Sequence, residues 1–192
     1  MTAAIYFSPT DTSRKGAEAI ARELAGDGPV LSINVTRFDA AAEKTEFSAE
    51  DLVVFGAPVY GGRLYRGCRE RFSRFHGNNT PCVITVTYGN RHYDDALIEL
   101  FDLVRELGFR PAAAAALVGQ HTYGQIQVGR PDEKDLAQDR EFAAKAAENL
   151  AKGVFLESVP GNRPYVKGDE GGKGGSFRPL TSDACTGCGL CV

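Results

Sequence analysis

The sequence predicts an α/β protein: a doubly wound, five-stranded parallel sheet with helices on both faces, followed by an extended C-terminal tail. Two observations carry this. Short strand-like apolar runs alternate with helical patterns along the first 152 residues, the signature of parallel strands joined by crossover helices. Some of these runs, such as Leu52 to Phe55, are continuously apolar rather than alternating, as suits strands covered on both sides. Beyond Lys152 the texture changes to Gly and Pro, which cannot build a core.

The first element, AAIYF at residues 3 to 7, is strand-like, and a polar turn leads into a helical pattern with Ala17, Ile20, Ala21 and Leu24 at the spacing of one face. Val30 to Val35 is the second strand. The third begins at Leu52 in LVVFGAPVY, and a less apolar helix is expected from Tyr65 to Phe75. Pro81 opens the fourth strand, PCVITVTYGN. An amphipathic helix follows over Ala96 to Leu107, with Leu97, Leu100, Phe101 and Val104 on one face and Gly108 as its stop. Pro111 to Val118 is the fifth strand. Leu136 to Lys152 is the last helix, with Asp132 or Asp135 expected to cap its start. The division that follows is a domain over residues 1–153, a Gly/Pro-rich linker over 154–180 and a cysteine-bearing segment over 181–192.

Composition excludes some function classes. The chain has 192 residues, 43% of them hydrophobic and 24% charged, which is ordinary globular composition. Its 22 Lys and Arg stand against 25 Asp and Glu, for a net charge of -3, so no basic excess is available for a nucleic-acid backbone. No apolar stretch reaches the length of a membrane span, and the start lacks the layout of a secretion signal, so a cytoplasmic location is expected. Three histidines offer little for an imidazole metal site, and no hydrolytic triad is recognisable.

In an open parallel sheet, ligands bind outside the carboxyl ends of the strands, which directs attention to three loops. The first, SPTDTSRKG, places Ser8, Thr10, Thr12 and Ser13 at a helix start, where free amides and the helix dipole favour an anion such as phosphate. One of these hydroxyls is expected to cap the helix; four exceed that need. The loop fits neither the P-loop nor the dinucleotide fingerprint. The loops APVYGGRLY and TYGNRHYDD each set aromatics beside glycine, an arrangement suited to a planar heterocycle stacked on Tyr60 or Tyr93. His121, after the fifth strand, is expected to be a hydrogen-bonded surface group.

Five cysteines are present. Cys68 and Cys82 stand alone and are expected to be small buried side chains. Cys185, Cys188 and Cys191, in CTGCGLCV, have C-x-x-C-x-x-C spacing, which favours iron-sulfur over zinc, because zinc ribbons need two separated pairs. A full four-iron cluster wants a fourth ligand, which is expected to come from residues absent here, from another chain, or from a non-cysteine group.

Taken together, SPTDTS, GAPVYGG and TYGNRHYDD resemble the phosphate loop and the two isoalloxazine loops of flavodoxins over residues 1 to 152, and with CTGCGLCV the whole chain resembles flavodoxin-ferredoxin fusion proteins. The resemblance implies a strand order 2-1-3-4-5 and FMN as cofactor, with a 4Fe-4S cluster in a ferredoxin-like segment that begins near residue 181 and is cut short here. It assigns Ser8, Thr10, Asp11, Thr12 and Ser13 to the phosphate. Ala57, Pro58, Val59, Tyr60, Gly61 and Gly62 fall to one flavin loop, and Thr87, Tyr88, Gly89, Asn90 and Tyr93 to the other. Gly61 matches the residue whose carbonyl can turn toward flavin N5 and stabilise the one-electron-reduced form. Asp11 stands where flavodoxins usually carry Gly and is expected to face solvent; Arg91 and His92 would raise the flavin potential.

The function expected from these implications is an FMN-binding electron-transfer protein, its flavin domain tethered to an iron-sulfur segment and exchanging electrons with redox partner proteins or small acceptors. Two alternatives stay open: a flavin-dependent reductase of quinone or another small oxidant, and an apo interaction module built on the same fold. Whether the flavin domain acts as a monomer or a homodimer also stays open.

Overall fold

A computed structural model describes residues 1–37, 44–123 and 125–166. The third strand of the sequence pattern is the organising element. As β4 (Leu52–Tyr60) it is buried over six consecutive positions, because it lies mid-sheet with helices on both sides. The main strands are β1 (Thr2–Tyr6), β2 (Val30–Asn34), β4, β7 (Thr80–Tyr88) and β8 (Phe109–Val118), hydrogen-bonded in the order β2-β1-β4-β7-β8 and all parallel. Counting these five alone, the order is the expected 2-1-3-4-5.

Alternate residues of each central strand feed two separate cores. Ile5, Phe55 and Ile84 point to one face, where α2 (Gly67–Phe72) and α3 (Ala96–Glu106) supply Phe72, Leu100 and Phe101. Ala4, Tyr6, Val54 and Val83 point to the other, where α1 (Thr12–Ala25) and α4 (Glu133–Ala151) supply Ala17, Ile20, Ala143 and Ala146. The period of two along each strand thus separates an aromatic core from an alanine-rich one. Asp132 caps α4 by accepting from Lys134 N and Asp135 N, while the Asp135 side chain takes the Asp132 amide, a reciprocal capping box.

Three short strands were not legible in the pattern. β3 (Glu46–Phe47) and β6 (His76–Gly77) pair with each other in a two-residue ladder. β5 (Arg63–Leu64) folds back antiparallel on β4 through Gly61 and Gly62, whose φ values of 62° and 86° make the tight turn that matches strand twist. The helix expected over Tyr65 to Phe75 is shorter at both ends, running Gly67–Phe72 between β5 and β6. On the other edge of the sheet, the ladder between β7 and β8 slips at Cys82/Val83, leaving Ala112 without an opposite partner directly after Pro111, which has no amide to donate.

Residues 154–166, expected to begin a linker, stay on the domain. Leu156 N donates to Pro111 O at 2.8 Å, and Leu156 and Val159 pack on the aromatic core. Further along, Asn162 and Val166 donate to the carboxylate of Asp95, and Arg163 and Tyr165 to that of Asp102. The Gly/Pro composition hides this docking, because its partners are two acids of α3 and its approach rather than an apolar stripe. Cys185, Cys188 and Cys191 lie outside the described residues.

Candidate functional site

At the carboxyl ends of the strands, four loops surround a cleft of about 220 Å³. A larger groove of about 510 Å³ runs between α1 and α4, but its walls are charged helix surface, including Arg14, Glu18, Arg22 and Arg140, with no aromatic side chain. The smaller cleft is where the convergent groups lie, at the position the topology dictates for a ligand.

The first loop shows a division of labour among its hydroxyls. Ser8 is buried; its Oγ accepts from Arg14 N at 3.0 Å and its amide donates to Thr36 Oγ1 at 2.8 Å. It holds the loop and caps the helix. The first bond within α1 runs from Lys15 N to Asp11 O, so the amides of Thr12 and Ser13 come before the intrahelical ladder begins. Thr10, Thr12 and Ser13 all line the cleft. Ser13 Oγ is fully buried and has no partner in the protein.

Asp11 adopts the left-handed conformation, with φ 63° and ψ -4°. Its carboxylate turns outward to accept from Arg14 Nε at 2.9 Å, and this hydrogen bond holds the acid below its ordinary range. The charge therefore stands off the cleft lining.

From the second loop, Pro58, Val59, Tyr60 and Gly61 line the cleft, and Tyr60 is 41% exposed. Its ring meets Tyr65 edge-on at 5.6 Å, and Tyr65 stacks on Phe7 at 5.0 Å, which fixes the aromatic wall from behind. Ala57 is buried one step below the rim. Gly62 is also off the lining; its carbonyl accepts from Asp95 N at 2.9 Å.

The third loop contributes Thr87, Tyr88 and Gly89. Thr87 Oγ1 is buried without a protein partner, the second such hydroxyl in the cleft lining. Tyr93, expected as a stacking platform, sits elsewhere: it packs on the aromatic core, edge-on to Tyr88 at 5.6 Å and stacked with His92 at 5.4 Å. Asn90 has φ 62° and turns the chain away from the lining. Arg91 is engaged with Asp94 Oδ2 at 3.1 Å and His92 Nδ1 accepts the Asp94 amide, and neither side chain lines the cleft.

A fourth loop, after β8, was not among the expected site residues. Gln120, His121, Thr122 and Tyr123 close the cleft on that side. His121 packs so tightly on Gly89 that a Cβ there would collide with its ring, so glycine alone fits without displacing it. His121 Nδ1 accepts from Tyr123 N at 2.9 Å, which leaves the proton of the neutral ring on Nε2. The rule that ligands sit beyond strand ends applies to the fifth strand as well as the others, and it was the available signal.

Cys68 and Cys82 are buried free thiols; burial pushes Cys68 up to about 12 and Cys82 well above its ordinary value. Among the described residues no His, Cys, Asp or Glu group is arranged to hold a metal, and no helix is long and apolar enough to cross a membrane.

Solved structures share this fold at low sequence identity. An archaeal flavodoxin superposes with a TM-score of 0.50 at 16% identity, over 78% of this chain and 97% of its own. The flavodiiron core of Flv1 from Synechocystis sp. PCC6803 gives 0.51 at 20%, over 79% of this chain and 36% of its own. Two-electron reduced Megasphaera elsdenii flavodoxin gives 0.50 at 16%, over 77% and 99%. No protein-family model and no curated protein sequence matches the chain. The fold is flavodoxin-like.

Proposed function

We propose that this protein binds FMN in the strand-end cleft and carries electrons. The observation that bears most weight is the pair of buried, unpartnered hydroxyls, Ser13 Oγ and Thr87 Oγ1, in the lining of a cleft that also holds Tyr60 and Tyr88. Buried hydroxyls without partners are costly unless a ligand supplies the missing hydrogen bonds. The likeness to structures that are flavodoxins supports the same reading.

In this reading the chain's own groups divide the work. The amides of Thr12 and Ser13 and the hydroxyls of Thr10, Thr12 and Ser13 hold the phosphate at the positive end of α1. Tyr60 and Tyr88 supply flat apolar surface for the ring system and exclude water from its face. Gly61, with positive φ and open space where a Cβ would be, can reorient its carbonyl without a clash. His121 offers Nε2–H as a donor at the fourth wall. Bound FMN would supply one- or two-electron chemistry, and redox proteins or small acceptors are the partners that chemistry serves.

The finer form of the proposal extends to the C-terminal cysteines. Cys185, Cys188 and Cys191 have the spacing of three iron-sulfur ligands, and a ferredoxin-like segment completed by a fourth ligand would exchange single electrons with the flavin.

Titration of the purified protein with FMN, followed by quenching of flavin fluorescence and by the visible spectrum, tests the core of the proposal. One equivalent should be bound. A colourless protein that leaves added FMN fluorescent overturns it and favours an interaction module on the same fold. Rapid turnover of a quinone by the reduced protein alone would assign it instead to the small-acceptor reductases.

A further inference from the structure

Residues 162–166 form a strap that is linked to the hairpin after β4 by two routes, one through Asp95 and one through Arg63. The first runs through Asp95, 1% exposed, at the start of α3. Its carboxylate accepts from Asn162 N and Asn162 Nδ2 at 2.9 Å and from Val166 N at 2.8 Å, while its backbone amide donates to Gly62 O at 2.9 Å. One buried residue therefore holds the strap with its side chain and the turn with its main chain.

The second contact runs through Arg63, the residue after the turn. Its guanidinium lies 4.3 Å from the centre of the Tyr165 ring and pairs with Glu99 Oε2 at 2.8 Å, and the neighbouring Leu64 amide donates to the same carboxylate oxygen. Tyr165 is fastened in turn by its hydroxyl to Asp102 Oδ2 at 2.9 Å. Charge and ring surface buried against each other in this way are strong contacts.

We infer that the strap is a brace that positions the Tyr60–Gly61–Gly62 hairpin, so that the cleft and the C-terminal segment are energetically coupled. Undocking the strap exposes the Asp95 carboxylate to the loss of three donors and uncovers Arg63, and both losses fall on the hairpin. Coupling is reciprocal: whatever holds Gly62 in place at the cleft also holds residues 162–166 on α3. Asn162 and Tyr165 are thus positioning residues, acting on the cleft through Asp95 and Arg63. The ligand side of this coupling rests on the FMN reading; the brace itself does not.

Hydrogen exchange on the full chain, without FMN, tests the brace directly. In the double variant Asn162→Ala/Tyr165→Ala, the amides of Leu64 and Asp95 should exchange roughly tenfold faster, with those of Val83 and Ile84 in β7 unchanged. Tyr165→Phe, which keeps the ring over Arg63, should exchange at Leu64 as the parent does. Unchanged exchange at Leu64 and Asp95, or equal acceleration in β7, would overturn the brace. With FMN present, the double variant should bind several-fold more weakly and with a shifted midpoint potential, and FMN should slow exchange at Val166 in the parent. A parent chain that binds no FMN would remove the flavin reading and leave the exchange result to decide the brace alone.

Discussion

Arg63 and Glu99 meet as a mostly buried ion pair, Nε to Oε2 at 2.8 Å, with Nη2 on the second carboxylate oxygen at 3.0 Å. The pair ties the hairpin after β4 to the first turn of α3. Removing the carboxylate takes from Arg63 its bidentate partner and from Leu64 N its acceptor in a largely dry site, which costs far more than the pair contributes as a whole. Glu99→Ala is expected to destabilise the protein by about 3 kcal/mol in denaturant unfolding. Glu99→Gln, which keeps an acceptor for Leu64 N, should cost less.

Asp139 is buried in the seam between α1 and α4, beside Gly16 and Leu117. Burial pushes its carboxyl up to about 6, with the charge of Asp135 adding to the shift and Arg140 opposing it. A raised acid means that the folded state holds its proton over a range where the unfolded chain has lost it. Stability from this group is therefore full below about pH 4 and lost as the pH rises through 6. Asp139→Asn should be more stable than the parent at pH 7 by on the order of 2 kcal/mol, and the difference should vanish at pH 4 in paired unfolding curves.

Ser13 Oγ and Thr87 Oγ1 have no protein partners, so each is a cost to the free protein. Ser13→Ala and Thr87→Val should each raise the stability of the free protein by about 1 kcal/mol. The same variants should weaken FMN binding roughly tenfold, as expected when a ligand loses one hydrogen bond in a buried site. Melting with and without FMN separates the two effects.

Asp11 occupies a left-handed conformation that glycine adopts without strain, and its charge stands at the lip of the proposed phosphate site. Asp11→Gly removes that charge from beside the amides that open α1 and frees Arg14 Nε from its bond to the carboxylate. FMN affinity should rise several-fold at low salt and the gain should shrink as salt is added, measured by fluorescence titration.

The sheet order and both helical layers were legible because they rest on periodicity: Ile5 against Ala4, or Phe55 against Val54, sends alternate side chains to different cores. That the hydroxyls of the first loop gather at the cleft was legible as a group but not for individuals. Nothing in SPTDTS distinguishes Ser8, which serves the backbone, from Ser13, which is left open, since that difference depends on Thr36 and on where α1 begins. Tyr93 looked equivalent to Tyr60, yet one anchors a core and the other lines the cleft, because Asn90 turns the chain between Tyr88 and Tyr93. His121 was read as a hydrogen-bonded surface group because a lone loop histidine carries no pattern of its own, and its place in the cleft depends on Gly89 from another loop. The docking of residues 154–166 was hidden because acids on another element supply its partners.

The edge of the sheet at β8 has a vulnerability that the last described segment covers. Pro111 O is taken by Leu156 N, and Ala112 O by Asn149 Nδ2 at 3.0 Å, at the point where the ladder slips and the strand is a run of alanines. An uncovered edge of small residues is an open template on which another molecule can add a strand. Peeling residues 154–156 away would leave the Pro111 carbonyl open at that edge, so the same stretch of chain that steadies the domain also closes a place where a strand could be added.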